Sequence, residues 1–287
     1  LDPAGIAVVT GDREPTGRFQ MVLLKIPKSL AHLEDILLRL RPHLEPGAKI
    51  LAGSMIKHTP ARAYRLIERC IGPTKTTLGW KKARLAVADH DMELGLPPRL
   101  PESTYRLEEF GWTLGNGPNL FSRDRLDPGA RLLLENLPRS DAPLTMADLG
   151  CGNGVLALAL TVSCPAARIL GVDESYQAVA CARENLSRND LDSERVRFEV
   201  ADGLAATTPG SLDAVVCNPP FHQAQAVGDH LAWRMFSQAR SSLKPGGELR
   251  VVGNRHLGYH VKLKRLFGNC ETLASDRKFV VLRSVRR

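Results

Sequence analysis

Between Leu144 and Val285 the chain alternates short apolar runs with helical stretches, and this alternation constrains its fold more than any other feature. The runs "LTMADLG", "RILGVD", "RVRFEVAD", "LDAVVCN", "GELRVVGN" and "KFVVLRSV" are interleaved with helical segments at 155–163, 176–188, 229–243 and 257–267. In the third of these, Leu231, Met235, Phe236, Ala239 and Leu243 recur with the helical period. Such alternation builds an α/β fold, a mostly parallel sheet with helices on both faces. Upstream, "FSRDRLDPGARLLLENLP" predicts a helix with Asp127 as N-cap and Pro128 in the first position. The proline-rich stretch "PPRLPESTY" lacks an apolar period and opens a linker expected over residues 97–112. It separates a first domain, 1–96, from a second, 113–287.

Parallel sheets bind ligands at the carboxyl ends of their strands. The first end carries "ADLGCGNGVLAL", in which Gly150, Gly152 and Gly154 leave a turn where a ligand can lie against backbone and helix N-terminus. Asp148 precedes this turn and repels phosphate, so a ligand with a cationic or amino end suits it better than a dinucleotide. Asp173, ending the second strand in "GVDES", can accept both hydroxyls of a ribose, or cap a helix. Asp202, ending the third in "VADGL", can accept from an adenine amino group. Three acids ending three successive strands are hard to explain by caps alone.

The fourth strand ends in "CNPPFHQ", residues 217–223. Neither proline can donate to a ladder, so the strand stops there in a stiff loop bearing an amide and a ring. Taken with the glycine turn and the acids, these residues resemble the class I S-adenosylmethionine-dependent methyltransferases, in the branch acting on amino nitrogens. The resemblance implies that Asn218 and a carbonyl of Pro219 or Pro220 accept from the two N–H groups of an exocyclic amine. The nitrogen lone pair is thereby held toward the methyl group. Phe221 offers a face for a flipped-out base. Neither a metal nor a covalent nucleophile is required, because the cofactor is itself the activated methyl donor.

"LFSRDRLDPGARLLLENLP", "DLGCGNGVLALAL", "CNPPFHQ" followed by "AWRMFSQAR", and "GNRHLGYHVKLKRLFGNC" are similar to the ribosomal RNA large subunit methyltransferase G family. The similarity extends upstream into "TTLGWKKARL", Thr76 to Leu85. It implies N2-methylation of a guanine in 23S ribosomal RNA. The implied cofactor site comprises Phe121, Asp148, Gly150, Cys151, Gly152, Asn153, Gly154, Asp173, Asp202 and Asn218. It further implies a class I Rossmann-like sheet, its last strand antiparallel, preceded by a partial, degenerate Rossmann-like domain without catalysis.

The duplication is visible internally. "LEPGAKILAGSM" (residues 44–55) parallels "LKPGGELRVVGN" (243–254), and "FQMVLLKIPKS" occupies the place of "LDAVVCNPPFH". Where the second copy has Asn218-Pro219-Pro220-Phe221, the first has Ile26-Pro27-Lys28-Ser29. Only about half of a first domain precedes the linker, and its glycine loop is expected upstream of Leu1.

Charge is segregated along the chain. Residues 1–100 carry 16 Lys/Arg against 10 Asp/Glu, residues 101–249 carry 13 against 19, and residues 250–287 carry 10 against 2. Basic ends flanking an acidic centre are either solvated faces or a footprint for a polyanion. Lys81, Lys82 and Arg84, with Lys262, Lys264 and Arg265, are the candidate RNA contacts. Six cysteines at irregular spacing, with no Cys-x-x-Cys pair, argue against a metal knuckle or disulfide framework and suit a reducing cytoplasm. No apolar run reaches the ~18 residues of a membrane helix, and nothing points to an obligatory protein partner. The competing functions are a 16S rRNA guanine-N2 methyltransferase, a methyltransferase acting on a protein glutamine amide, and an RNA-binding module with a vestigial pocket.

Overall fold

The computed structural model describes the chain except for residues 1–8, 96, 99–101, 121, 192–193 and 221–224, and gives residues 225–229 as backbone. Two compact units result, Leu1–Glu102 and Ser103–Arg287.

The first unit runs β1 (Phe19–Lys25), α1 (Leu30–Leu40), β2 (Leu44–Met55), α2 (Ala61–Cys70), β3 (Thr74–Thr76) and β4 (Ala83–Asp89). Its strands are ordered β1-β2-β4-β3, with only β1 and β2 parallel. One sheet face packs Ile50, Ala52, Ala86 and Ala88 against Leu33, Leu37, Leu66 and Ile67 of the two helices. On the other face Met21, Leu23 and Leu85 are exposed.

The second unit begins with a hairpin, β5 (Ser103–Leu107) and β6 (Trp112–Asn116), followed by α3 (Pro128–Leu134). The alternation then follows: β7 (Thr145–Leu149), α4 (Val155–Ser163), β8 (Arg168–Asp173), α5 (Tyr176–Arg188), β9 (Val196–Val200), β10 (Leu212–Cys217) and α6 (Gln225–Ser242). It closes with β11 (Leu243–Asn254), α7 (Tyr259–Phe267), β12 (Glu271–Ser275) and β13 (Phe279–Val285). The seven-stranded order is β12-β13-β11-β10-β7-β8-β9, parallel from β11 to β9, with β13 antiparallel to both its neighbours. This is the sheet the resemblance implied.

Two features differ from expectation. Leu107, Trp112 and Leu114 of the hairpin are buried in the second unit's core, so the stretch read as a linker is folded from Ser103 onward. Strand β12, polar and mostly exposed, had no apolar pattern to announce it. Each sheet face carries its own core. Helices α4 and α5 pack on one side, and Phe236 of α6 meets Tyr259 of α7 edge-on at 5.2 Å on the other.

The internal repeat extends to a shared irregularity. Pairing of β1 with β2 jumps from Phe19↔Leu44 to Met21↔Lys49, and that of β10 with β11 from Leu212↔Leu243 to Ala214↔Glu248. Both jumps insert a Pro-Gly loop whose glycine, Gly47 or Gly246, has φ of 74° or 82°, a region closed to most side chains.

Phe236 is fully buried, so Phe236→Ala leaves a ring-sized cavity and is expected to cost the second unit about 3–5 kcal/mol in denaturant unfolding. A loss below ~1 kcal/mol would mean that the α6–α7 layer is not part of the cooperative core.

Candidate active site

The site is assembled where β7, β8 and β10 end. After β7 the backbone turns at Gly150, Gly152 and Gly154, with φ of 80°, 55° and 85°. A side chain at Gly154 would meet the Ala182 Cβ at 2.9 Å, so α4 enters directly against α5. At Gly152 nothing lies within 4 Å of where a Cβ would stand, which leaves an open concavity over the turn. Cys151 and Asn153 point inward; Asn153 donates to the Tyr105 hydroxyl at 3.0 Å. Asn185 accepts from the Gly115 N–H and donates to the Asn153 carbonyl, tying the β5–β6 hairpin to the turn.

Asp173 clamps the turn from β8. One carboxylate oxygen accepts from the Gly152 N–H at 3.0 Å, the other from the Ser175 N–H at 2.9 Å. Each oxygen retains a lone pair for a hydroxyl. Asp202 is exposed and forms a two-pronged pair with Arg234 of α6, at 2.9 and 3.4 Å. Asp148 is fully buried. Its Oδ2 accepts from the Ala157 N–H at 3.0 Å, and its Oδ1 has no partner among the described residues. Burial pushes its carboxyl up to about 7, aided by the nearby charge of Asp173 and opposed by the Ala157 hydrogen bond. The thiols of Cys151 and Cys217 are pushed well above the usual range by burial.

Asn218 follows β10, whose Val216 and Cys217 pair with Asp148 and Leu149 of β7. Its Nδ2 points to the Asp127 carboxylate at 3.5 Å, and its buried Oδ1 has no partner among the described residues. A carboxylate only accepts, so the contact orients the amide: N–H toward Asp127, oxygen free. Asp127 was predicted only as the α3 cap. It is that, accepting from the Ala130 N–H at 2.9 Å, and it also supports Asn218 from 91 positions earlier. No local pattern could signal the second contact. Pro219 is buried and Pro220 exposed, whereas Phe121 and Phe221 lie outside the described residues.

The orphaned oxygens of Asp148 and Asn218, with Asp173 and the open glycine turn, form a set rich in acceptors. That set fits a ligand bearing an ammonium or sulfonium charge, ribose hydroxyls and amino groups, which is the donor chemistry of S-adenosylmethionine. Among the described residues no group of three His, Cys, Asp or Glu side chains forms a metal site, and no helix is long and apolar enough to cross a membrane.

The candidate RNA contacts lie on separate elements. Lys81 and Lys82 are exposed at the hairpin tip of the first unit, and Arg84 is half-buried on β4. On α7, Tyr259, Leu263 and Phe267 are buried and Lys264 and Arg265 exposed. Lys262 is half-buried and donates to the Leu257 carbonyl at 3.4 Å.

The raised carboxyl of Asp148 gives stability a pH dependence. In the unfolded chain an aspartate titrates near ~3.9, and in the fold this one titrates at about 7. Between those values the folded chain holds a proton that the unfolded chain has released, so stability falls as pH rises. Relative to Asp148→Asn, the parent should lose on the order of 1.4 kcal/mol per pH unit across that window. Parallel unfolding curves at pH 4.5 and 6.5 would show instead that the group ionises normally.

The chain matches two family models, the methyltransferase small domain over residues 111–283 and the RLMG N-terminal domain over residues 1–92. It is 52% identical over 285 residues to the ribosomal RNA large subunit methyltransferase G of Pseudomonas paraeruginosa, covering 99% of this chain and 75% of that protein. It is 46% identical to the Streptomyces coelicolor protein of the same name, covering 100% and 77%. Among solved structures, the T. thermophilus 16S rRNA N2 G1207 methyltransferase, in complex with AdoMet and guanosine, matches with a TM-score of 0.80. That match has 25% identity and covers 95% of this chain and 74% of that one. The chain therefore belongs to the ribosomal RNA large subunit methyltransferase G family.

Proposed function

We propose that this chain transfers a methyl group from S-adenosylmethionine to the exocyclic N2 of a guanine in 23S ribosomal RNA. The observation that carries the reading is the Asn218 amide, oriented by Asp127 and offering an oxygen that has no partner among the described residues, beside the acceptor-rich end of β7. Its supports are the relatives named for large-subunit rRNA and the solved N2-guanine enzyme with the same fold.

When bound, the cofactor supplies an electrophilic methyl on a sulfonium, so the protein need only position the acceptor nitrogen and stabilise charge. Asn218 Oδ1 and a proline carbonyl of the loop accept the two N–H groups of the amine. The fixed φ of Pro219 and Pro220 holds those acceptors against the thermal motion an ordinary loop would have. On the cofactor side, Asp173 accepts ribose hydroxyls and Asp202 an amino group, while Asp148 lies beneath the turn formed by Gly150, Cys151, Gly152, Asn153 and Gly154. Phe121 and Phe221, outside the described residues, keep the roles the family resemblance implies, toward the cofactor and the base respectively. Lys81, Lys82, Arg84, Lys264 and Arg265, with Lys262 in a lesser part, would meet phosphates.

The direct test incubates the chain with labelled cofactor and separated rRNAs, then identifies the labelled nucleoside. N2-methylguanosine in 23S rRNA is expected. Label confined to 16S rRNA, or to a protein glutamine, would overturn the assignment.

Asn218→Ala is expected to lower turnover by ~10²–10³ while leaving cofactor affinity within a few-fold, because one oriented polar group at the reacting atom is lost. Asp127 supports that group and can be examined separately. Asp127→Ser keeps an N-cap but is too short to reach Asn218, so turnover should fall about tenfold with the melting temperature held. Asp127→Asn retains an oxygen facing both donors and should restore most of the rate. Full activity in Asp127→Ser would show that the amide needs no such support.

A further inference from the structure

The connection between β3 and β4 is a two-residue hairpin loop. Trp80 and Ala83 exchange both backbone hydrogen bonds at 2.9 Å, leaving Lys81 and Lys82 as the central pair. Their φ values are 46° and 66°, so both occupy the left-handed region. A turn with two positive φ values selects Asn-Gly or similar pairs, because a side chain at either position crowds the backbone. Two lysines there cost stability that Asn-Gly would not. Strain retained at a surface turn points to what the turn presents.

What it presents is unusual for a surface. Trp80 is 72% exposed and Leu78 93% exposed, with the Lys81 ammonium 4.7 Å from the Trp80 ring centroid. Between the Thr77–Leu85 and Trp80–Ala83 pairs, Leu78 and Gly79 oppose the single residue Arg84, a bulge that turns this edge outward. The tip is braced rather than loose. The Ile56 N–H donates to the Lys82 carbonyl at 2.9 Å, and a side chain at Gly79 would stand 2.9 Å from Ile56 Cδ1. No acidic residue occurs from position 46 to 67 or from 69 to 88, whereas Lys57, Arg62, Lys75, Lys81, Lys82 and Arg84 all fall in those windows.

The second copy of the repeat shows that this exposure is not forced by the fold. There the equivalent connection, between β12 and β13, is held by Asp276, whose carboxylate accepts from the Lys278 and Phe279 N–H groups. By sheet register Phe279 takes the place of Ala83, each lying opposite the last residue of the long neighbouring strand, and its ring is buried in the core. The second copy therefore closes its hairpin with an acid and carries no aromatic side chain at the tip, Ser275 to Lys278. In the first unit the acid is absent and a tryptophan stands exposed beside the turn.

We infer that the Trp80 hairpin is a stacking platform for an unpaired base of RNA, with Lys81 and Lys82 meeting the phosphates on either side of it. The inference rests on the proposed RNA substrate and names the contact by which the first unit would hold it. With Lys81 over one face of the indole, the opposite face remains for a nucleobase, and stacking on a ring is tolerant of base identity. A duplex offers no free base face, so the platform selects single-stranded segments such as loops and bulges.

The test measures binding of labelled RNA to the whole chain by anisotropy, using an unstructured oligonucleotide and a duplex of equal length. Trp80→Ala should weaken single-strand affinity about tenfold or more, leave duplex affinity within twofold, and leave the salt slope unchanged, since stacking releases no counterions. Trp80→Phe should recover most of the loss. The paired change Lys81→Asn with Lys82→Gly should raise the melting temperature by relieving the turn, while weakening both RNAs and flattening the log–log salt slope by roughly 0.7 to 1.8. Equal single-strand affinity in Trp80→Ala and parent overturns the platform and leaves the RNA substrate standing. A Trp80→Ala defect seen only on assembled ribosomal particles, and not on protein-free RNA, also overturns it, and assigns the tip to a ribosomal protein. Failure of the parent to bind either RNA overturns the substrate reading and this inference together.

Discussion

Asp148 sits at the end of β7 with its side chain wholly out of water, and among the described residues only one of its oxygens, holding the Ala157 N–H, has a partner. Two opposing forces meet in that carboxylate. Desolvation favours its neutral form, and the amino end of α4 favours its anion. The balance poises the carboxyl near neutrality beneath the turn, between its charged and uncharged forms. The rest of the edge is built around it. The glycine turn passes over it, Asp173 grips that turn through Gly152, and β10 delivers Asn218 beside it.

The two units of the chain share a frame but not the loop that follows its first strand. The strand order β1-β2-β4-β3 repeats β10-β11-β13-β12, and even the Pro-Gly interruption recurs at the same offset. Sheet pairing and the left-handed glycine are constraints of folding, so both copies keep them. The loop after the first strand is not so constrained, and Ile26-Pro27-Lys28-Ser29 replaces the amide and ring of the other copy.

Much of the architecture was legible because parallel strands buried on both faces leave continuous apolar runs, and glycine turns leave their own mark. Helices α4 and α5 fall where the strand–helix alternation placed them. Strand β12 and the β5–β6 hairpin were missed because edge strands and short hairpins carry mixed polarity. Asp148, Asp173 and Asn218 could be singled out as strand-end residues. Their partners could not: the contacts from Asp127 to Asn218 and from Arg234 to Asp202 join residues 91 and 32 positions apart, and only the folded backbone brings them together.

Helix α4 has an unusual composition for a segment beside a ligand turn: from Val155 to Thr161 every residue is buried. A helix with one polar side can lift away and keep that side wet. This one has no such side, and any partial detachment would put an apolar cylinder into water. Its amides should therefore exchange with solvent only when the whole second unit opens. The turn it anchors inherits that stiffness, so Gly150–Gly154 meets its ligand already shaped, and little ordering entropy remains to be lost on binding.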